Sequence, residues 1–478
     1  MESKLTKTRI TSWFTKKSDI SCRSIQIADK QVNIFYIDCL VDKTYLSQHV
    51  IANLLTLKAV DIQQITNCLS ASEITSLTGK TQIVNSILNG QTVIVIENST
   101  TALAVGTTGY STRAISEPPT SQVTKGPREG FVEDITINLS LLRRKIKSAN
   151  FAVENLVVGK QTQTKITVVY LSNIANKSLV KKLTNQLKQI DIDGIIDSYY
   201  IESLLEEGKL KFIRRIGNSE KPDVVASRLL EGRVAIIVDG SPIVLTAPFM
   251  LIEDLQSPED YYTIPAKATF IRIIRLIGFI LGFLLPGIYV ALQSYHYKVL
   301  PINFLVTLLS SIQGISFPPL IEILFVLFMF DILAEASARM PKLLGMALSI
   351  IGALVLGETT VNAGIISPPS IVVVAISSIM LFIVPEQVPQ VSLLRIVFTI
   401  IGGIAGFYGM LMSFIILTTY LISANGYGVP LLAPYAPSVK QDKQDAIIKR
   451  SVNNMFKRPH SLTTKNATRF NYKGNNHE

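Results

Sequence analysis

Five carboxylates of this 478-residue chain lie in or beside apolar stretches from which lipid would exclude charge: Glu322, Asp331, Glu335, Glu358 and Glu386. Three of them share residues 317–340, a run dominated by Leu, Ile, Phe and Val. Asp331 and Glu335 are four residues apart and fall on one helical face, while Glu335 and Arg339 repeat the spacing and can pair. Glu322 precedes Asp331 by nine residues, about half a turn round the same helix. A carboxylate turned to lipid costs several kcal/mol, so these groups should face protein or water. A helix lining an aqueous passage between subunits would use them, because rings of carboxylates favour cations. A surface-lying amphipathic helix, or one packed between neighbours, accounts for the same residues.

Other chemistries fail on spacing. Gly79-Lys80-Thr81 looks like the end of a phosphate-binding loop, but Ile74 stands where that loop requires glycine. Asp191, Asp193 and Asp197 lack the closing glutamate of a calcium loop, which leaves turn and capping roles. Cys22, Cys39 and Cys68 suit neither a zinc site nor a redox pair and read as reduced thiols. The four histidines are scattered. No catalytic centre, cofactor or metal is expected, and the chain does not read as an enzyme. Residues 1–30 are basic but lack interleaved aromatics, so no nucleic-acid partner is expected.

The elements that position these groups follow from composition. Apolar residues make up 48% and charged residues 17%, against about 25% charged in soluble proteins. The formal charge of +11 is unevenly spread. Residues 276–439 carry a net −1, and residues 440–478, with nine basic and three acidic side chains, carry +6. The pattern is a basic front, a charge-poor middle and a basic end. We expect an α/β soluble N-terminal region of two similar subdomains, followed by an all-α polytopic membrane domain. The divisions are a flexible basic arm (1–30), subdomain 1 (31–120), subdomain 2 (121–262), a transmembrane helical domain (263–435) and a basic cytoplasmic tail (436–478).

The evidence for two similar subdomains is an internal repeat. Strand patterns occur at residues 32–37 and 165–171, each followed by a helix pattern, and an offset of 134 superposes them. Hairpins at 91–105 and 233–245 superpose with an offset of 142. Pro118-Pro119-Thr120-Ser121 reads as the linker between them.

In the membrane half, residues 276–292, 343–357, 365–384 and 396–423 have the length and apolarity of spans. Arg272, Arg275, Lys342 and Arg395 read as their flanks. Two basic ends on the cytoplasmic side require an even number of spans, hence four, with 317–340 lying partly across. Gly402 and Gly406 have the spacing that lets helices approach closely.

A set of motifs in order carries a family resemblance. It comprises Gly126-Pro127-Arg128-Glu129-Gly130-Phe131, Leu142-Arg143-Arg144, Ile190-Asp191-Ile192-Asp193-Gly194-Ile195, Glu220-Lys221-Pro222-Asp223, Leu230-Glu231-Gly232-Arg233-Val234-Ala235-Ile236, Val238-Asp239-Gly240-Ser241-Pro242 and Ser257-Pro258-Glu259-Asp260-Tyr261-Tyr262. Phe317-Pro318 and Ser349-Ile350-Ile351-Gly352-Ala353-Leu354-Val355 follow in the membrane half. Over residues 120–440 the chain closely resembles the GerA family of bacterial spore-germination proteins, specifically the A subunit of a nutrient germinant receptor. The resemblance implies a multi-pass protein of the spore inner membrane, partnered by an integral-membrane B subunit and a C-subunit lipoprotein. It also implies a role in ion release on nutrient sensing, with the A subunit a homo-oligomeric pore in contact with membrane lipid. A non-conducting scaffold built on the soluble domain is the alternative. In the segment Pro127, Arg128, Glu129 and Gly130, proline and glycine bracket a turn, while the two charges suit contacts between subunits or subdomains.

Overall fold

The computed structural model describes residues 4–15, 17–109, 125–206, 213–341, 345, 347, 350–352 and 354–470. The linker expected at 118–121 lies outside the described residues, as does part of the span expected at 343–357.

The first sheet contains β1 (Ile20–Ile27), β2 (Lys30–Ile37), β3 (Ile74–Leu77), β4 (Thr92–Ile96) and β5 (Ala102–Val105), in the order β1-β2-β4-β5-β3. The second contains β6 (Phe151–Val158), β7 (Thr164–Leu171), β8 (Gly217–Ser219), β9 (Val234–Val238) and β10 (Val244–Ala247), in the order β6-β7-β9-β10-β8. Every neighbour is antiparallel and the two orders are identical. The repeat read from the sequence is therefore present: β2 and β7 differ by 134, and β4 and β9 by 142. All five residues of β4 and all five of β9 are buried. Each sheet carries apolar clusters on both faces, so its central strands read as continuous rather than alternating apolar runs.

The first thirty residues are not a mobile arm. A short helix, α1 (Lys7–Ser12), is capped by the Thr6 side chain, and β1 pairs with β2 along its whole length. Strand β1 lies at the sheet edge, where one side stays open and polar residues are tolerated, so it lacks the apolar pattern that marks a strand. Four further helices serve the description of the soluble region: α2 (Lys80–Leu88), α3 (Ile135–Lys145), α4 (Lys177–Gln189) and α5 (Ser198–Leu205). A fifth, α6 (Pro222–Leu230), opens on proline and is followed by Gly232 at φ +99°, which matches Gly90 at φ +85° after α2. Both glycines take a backbone that a Cβ disfavours.

The C-terminal half is helical: α7 (Pro265–Ser294), α8 (Ile302–Ile312), α9 (Pro319–Arg339), α10 (Pro368–Leu381) and α11 (Val388–Ser423). Helix α7 and the run through α11 have the length and apolarity to cross a membrane. Helix α11 is two arms rather than one rod. Gly406 at φ 59°, ψ −152° breaks it, in a region open essentially to glycine alone. A straight helix of 36 residues would be about 54 Å long. Yet Gln387, before the first arm, bonds Asp254, and Leu431, just past the second, accepts from the Leu251 amide. Both ends thus meet one turn, Leu251–Leu255. A methyl on Gly287 of α7 would lie 2.6 Å from the Phe398 carbonyl oxygen and 3.0 Å from Met410 Cε, one atom from each arm. Residues 398 and 410 would be about 18 Å apart on a straight helix. The Tyr295 hydroxyl donates to the carbonyls of Gly403 and Ile404 at 3.1 and 2.9 Å, beside the break.

The tail is not free either. Residues 440–470 fold back onto subdomain 2, with the Arg458 side chain donating to the Leu230 carbonyl at 2.7 Å and Arg469 paired with Glu231 at 2.5 Å.

Candidate functional site

Four membrane-depth carboxylates were candidates, and they have four different surroundings. Glu322 is buried; its carboxylate accepts from the Ser367 amide at 2.6 Å and hydroxyl at 2.7 Å. Ser367 precedes α10, so Glu322 caps that helix, where the helix dipole favours an anion. A sealed cap is not part of a water-lined ring. Asp331 pairs with Arg395 at 2.6 Å and stays 37% exposed, while Arg395 is buried and also donates to Ser378 at 2.9 Å. Arg395 therefore acts as a counter-charge inside the helix packing rather than as a flank. Glu335 is exposed and pairs with Arg339, whose Nε lies at 2.7 Å, as the spacing predicted. Glu358 is exposed. Helix α9 therefore keeps Asp331 and Glu335 on an open face and turns Glu322 inward.

The two packing glycines separate in the same way. A methyl on Gly402 would meet the Gly287 carbonyl oxygen at 2.5 Å, so Gly402 permits close approach of α7 and the first arm of α11. Gly406 instead forms the break, with the His296 ring 3.0 Å from where its Cβ would be.

The soluble motif joins several elements. The Pro127 carbonyl accepts from the buried Lys221 ammonium at 2.8 Å. Glu129 pairs with Lys145 at 3.0 Å and Arg144 at 3.6 Å, both at the end of α3. Arg128 is exposed and Gly130 half-buried. The neighbouring Arg143 is buried against the Phe151 ring and holds Asp19, Nε to Oδ2 3.1 Å, which ties the N-terminal segment to subdomain 2.

Periodicity gave no sign of the densest charge cluster, which lies where subdomain 2, the helix feet and the tail meet. Arg233 pairs with buried Glu253 and with Glu231; Arg228 reaches Glu253 at 3.3 Å. Arg214 pairs with Asp254 and, at 3.4 Å, with Glu386 before α11. At the start of α7, buried Arg272 holds Asp260 at 2.8 Å and Asp445 of the tail at 3.0 Å, and Arg275 adds Asp260 at 2.9 Å. The Tyr261 hydroxyl donates to Asp445 at 2.9 Å. Arginine suits such buried pairs because its rigid fork meets carboxylates and carbonyls together. Nearby, Glu202 is pushed up to about 7 by burial, and by Glu206 and Glu386, against the pull of Arg214 and an Asn218 hydrogen bond. Burial also raises Asp254, against Arg214. The signal available in sequence was slight: of these arginines only Arg233 lies in a family motif, two residues from Glu231, and the partners of the others lie up to 173 residues away. Among the described residues no group of three or more His, Cys, Asp or Glu side chains is arranged to hold a metal ion.

Comparison with known proteins gives one consistent result. The family of Bacillus/Clostridium GerA spore germination proteins matches residues 8–461. Spore germination protein KA of Bacillus subtilis (strain 168) is 35% identical over 462 residues, which is 95% of this chain and 85% of that protein. Spore germination protein GerLA of Bacillus cereus is 31% identical over 463 residues, 94% of each chain. Among solved structures, the N-terminal domain of the A subunit of the Bacillus megaterium spore germinant receptor GerK3 aligns at 28% identity. That alignment covers 52% of this chain and 96% of that one, with a TM-score of 0.38.

Proposed function

Because the chain belongs to the GerA family of spore germination proteins, we propose that it serves as the A subunit of a spore inner-membrane germinant receptor, and that it converts nutrient sensing into ion release as an oligomeric cation-conducting channel. The observation that carries this reading is the open acidic face of α9. Asp331 and Glu335 stand among exposed Phe325, Phe328 and Ile332. Carboxylates at membrane depth need protein or water beside them, and a second copy of the chain would supply both. The partners on this reading are an integral-membrane B subunit and a C-subunit lipoprotein.

Topology supports the same picture. Residues 458 and 469 pack on subdomain 2, which is consistent with the tail and the soluble region sharing one side of the membrane, and we assign that side to the cytoplasm from their basic charge. On this reading α7 makes one pass and the two arms of α11 a pass each, joined at Gly406.

Reconstitution with the partner subunits and recording of nutrient-dependent ion flux tests the proposal. Glu322 and Asp331 are held by Ser367 and Arg395, so the discriminating variant is Glu335→Gln with Glu358→Gln. Altered cation selectivity supports the channel. Unchanged conductance and selectivity would remove Glu335 and Glu358 from the pore and favour the scaffold.

A further inference from the structure

We propose that the chain holds one anionic phospholipid at the foot of the membrane helices, a short stretch of one acyl chain in a mainly apolar cavity and its headgroup against Lys443. The cavity has a volume of about 120 Å³ and a mainly apolar lining that includes Leu276, Phe279, Leu432 and Ile447, with Asp254 and Gln387, bonded to each other, among its polar members. That is close to the ~150 Å³ apolar cavity known to stay dry and take up benzene, so hydrocarbon suits it better than water. Its depth is set by α7. Arg272 and Arg275 are the last charges before the charge-free run, and Leu276 and Phe279 follow directly. Ile273, Ile274 and Ile277 on the same turns are 40–50% exposed, so the cavity adjoins the face turned to lipid.

The rim carries the chemistry of a membrane–water boundary. Tyr435 is 43% exposed, and the Lys443 ammonium lies 5.5 Å from the centre of its ring. Lys443 donates to the Ser438 hydroxyl at 2.8 Å, one of its three donors, and exposed Lys440 stands three residues away. Carboxylates of the cavity lining and of the neighbouring chain are engaged elsewhere: Asp254 by Arg214 and Gln387, Asp442 by the amides of His460 and Ser461, and Asp445 by Arg272 and Tyr261. The positive charge therefore faces outward, as in basic segments that recognise anionic lipid. This site does not depend on whether the chain conducts ions.

The full-length protein in dodecyl maltoside, given phosphatidylglycerol or phosphatidylcholine and examined by native mass spectrometry and thermal melting, tests the assignment. We expect one phosphatidylglycerol to be retained per chain and to raise the melting temperature. Leu432→Trp, which fills the cavity, and Lys443→Glu, at the surface, should each weaken retention about ten-fold. Equal retention of phosphatidylglycerol by the wild type and both variants would overturn the site. So would equal binding of phosphatidylcholine, or equal stabilisation by glycerol phosphate without acyl chains.

Discussion

The two α/β subdomains share one frame and differ in what the frame holds. Shifting subdomain 1 by 142 places Ser86, Gln91 and Gly79 on Arg228, Arg233 and Lys221. The frame glycines match, Gly90 with Gly232, and so do the buried central strands. The charged positions do not. In subdomain 2 Arg233 and Lys221 are buried and Arg228 half-buried; the arginines meet Glu253 and Glu231, beside the attachment of the tail, and Lys221 meets the Pro127 carbonyl. Strand order thus needs no charge at these sites; Arg228 and Arg233 instead hold Glu253 and Glu231, the acidic groups beside the joint with the membrane half and tail.

The most severe way to test that contrast is Arg233→Leu. It leaves buried Glu253 with Arg228 at 3.3 Å and the Met250 amide in place of a close ion pair, a loss of about 2–4 kcal/mol by thermal unfolding, whereas Gln91→Leu at the matching site should stay within ~1 kcal/mol. Next, Gly287→Ala would press a methyl against the Phe398 carbonyl and cost about 1–3 kcal/mol, with the loss confined to the membrane half. The glycine pair sharpens the comparison further. Gly90→Ala and Gly232→Ala should each cost about 1 kcal/mol of backbone strain, but only Gly232→Ala meets Thr464 and should open residues 457–470 to protease.

The smallest effect concerns pH. Glu202 sits near 7 when folded, above the ordinary carboxylate value, so the folded state holds its proton more tightly and stability falls as pH rises from about 5 to 7. Glu202→Gln should flatten that slope in melting curves taken across the interval; an unchanged slope would assign it to other groups.

The frame was legible because its central strands are apolar on both faces and recur at fixed offsets. Edge strand β1 was not, since its exposed side accepts Arg23 and Ser24 as readily as any residue. The break at Gly406 was hidden inside an apolar run whose hydropathy does not change at the turn. Arg272 and Arg395 read locally as flanks because their partners, Asp445 and Asp331, are 173 and 64 residues distant. At the candidate site, the helical spacing correctly paired Glu335 with Arg339 but could not tell that Glu322 turns inward, since that depends on where α10 begins.

The short stretch from Leu251 to Tyr262 receives α7 through Asp260, both feet of α11 through Asp254 and Leu251, and the tail through Tyr261. Four elements hang from one abutment about a dozen residues long. A displacement of subdomain 2 cannot be passed to α7 and withheld from α11 or the tail. Within a subunit the response should be concerted, all-or-none in each molecule, and graded only through how many molecules have switched.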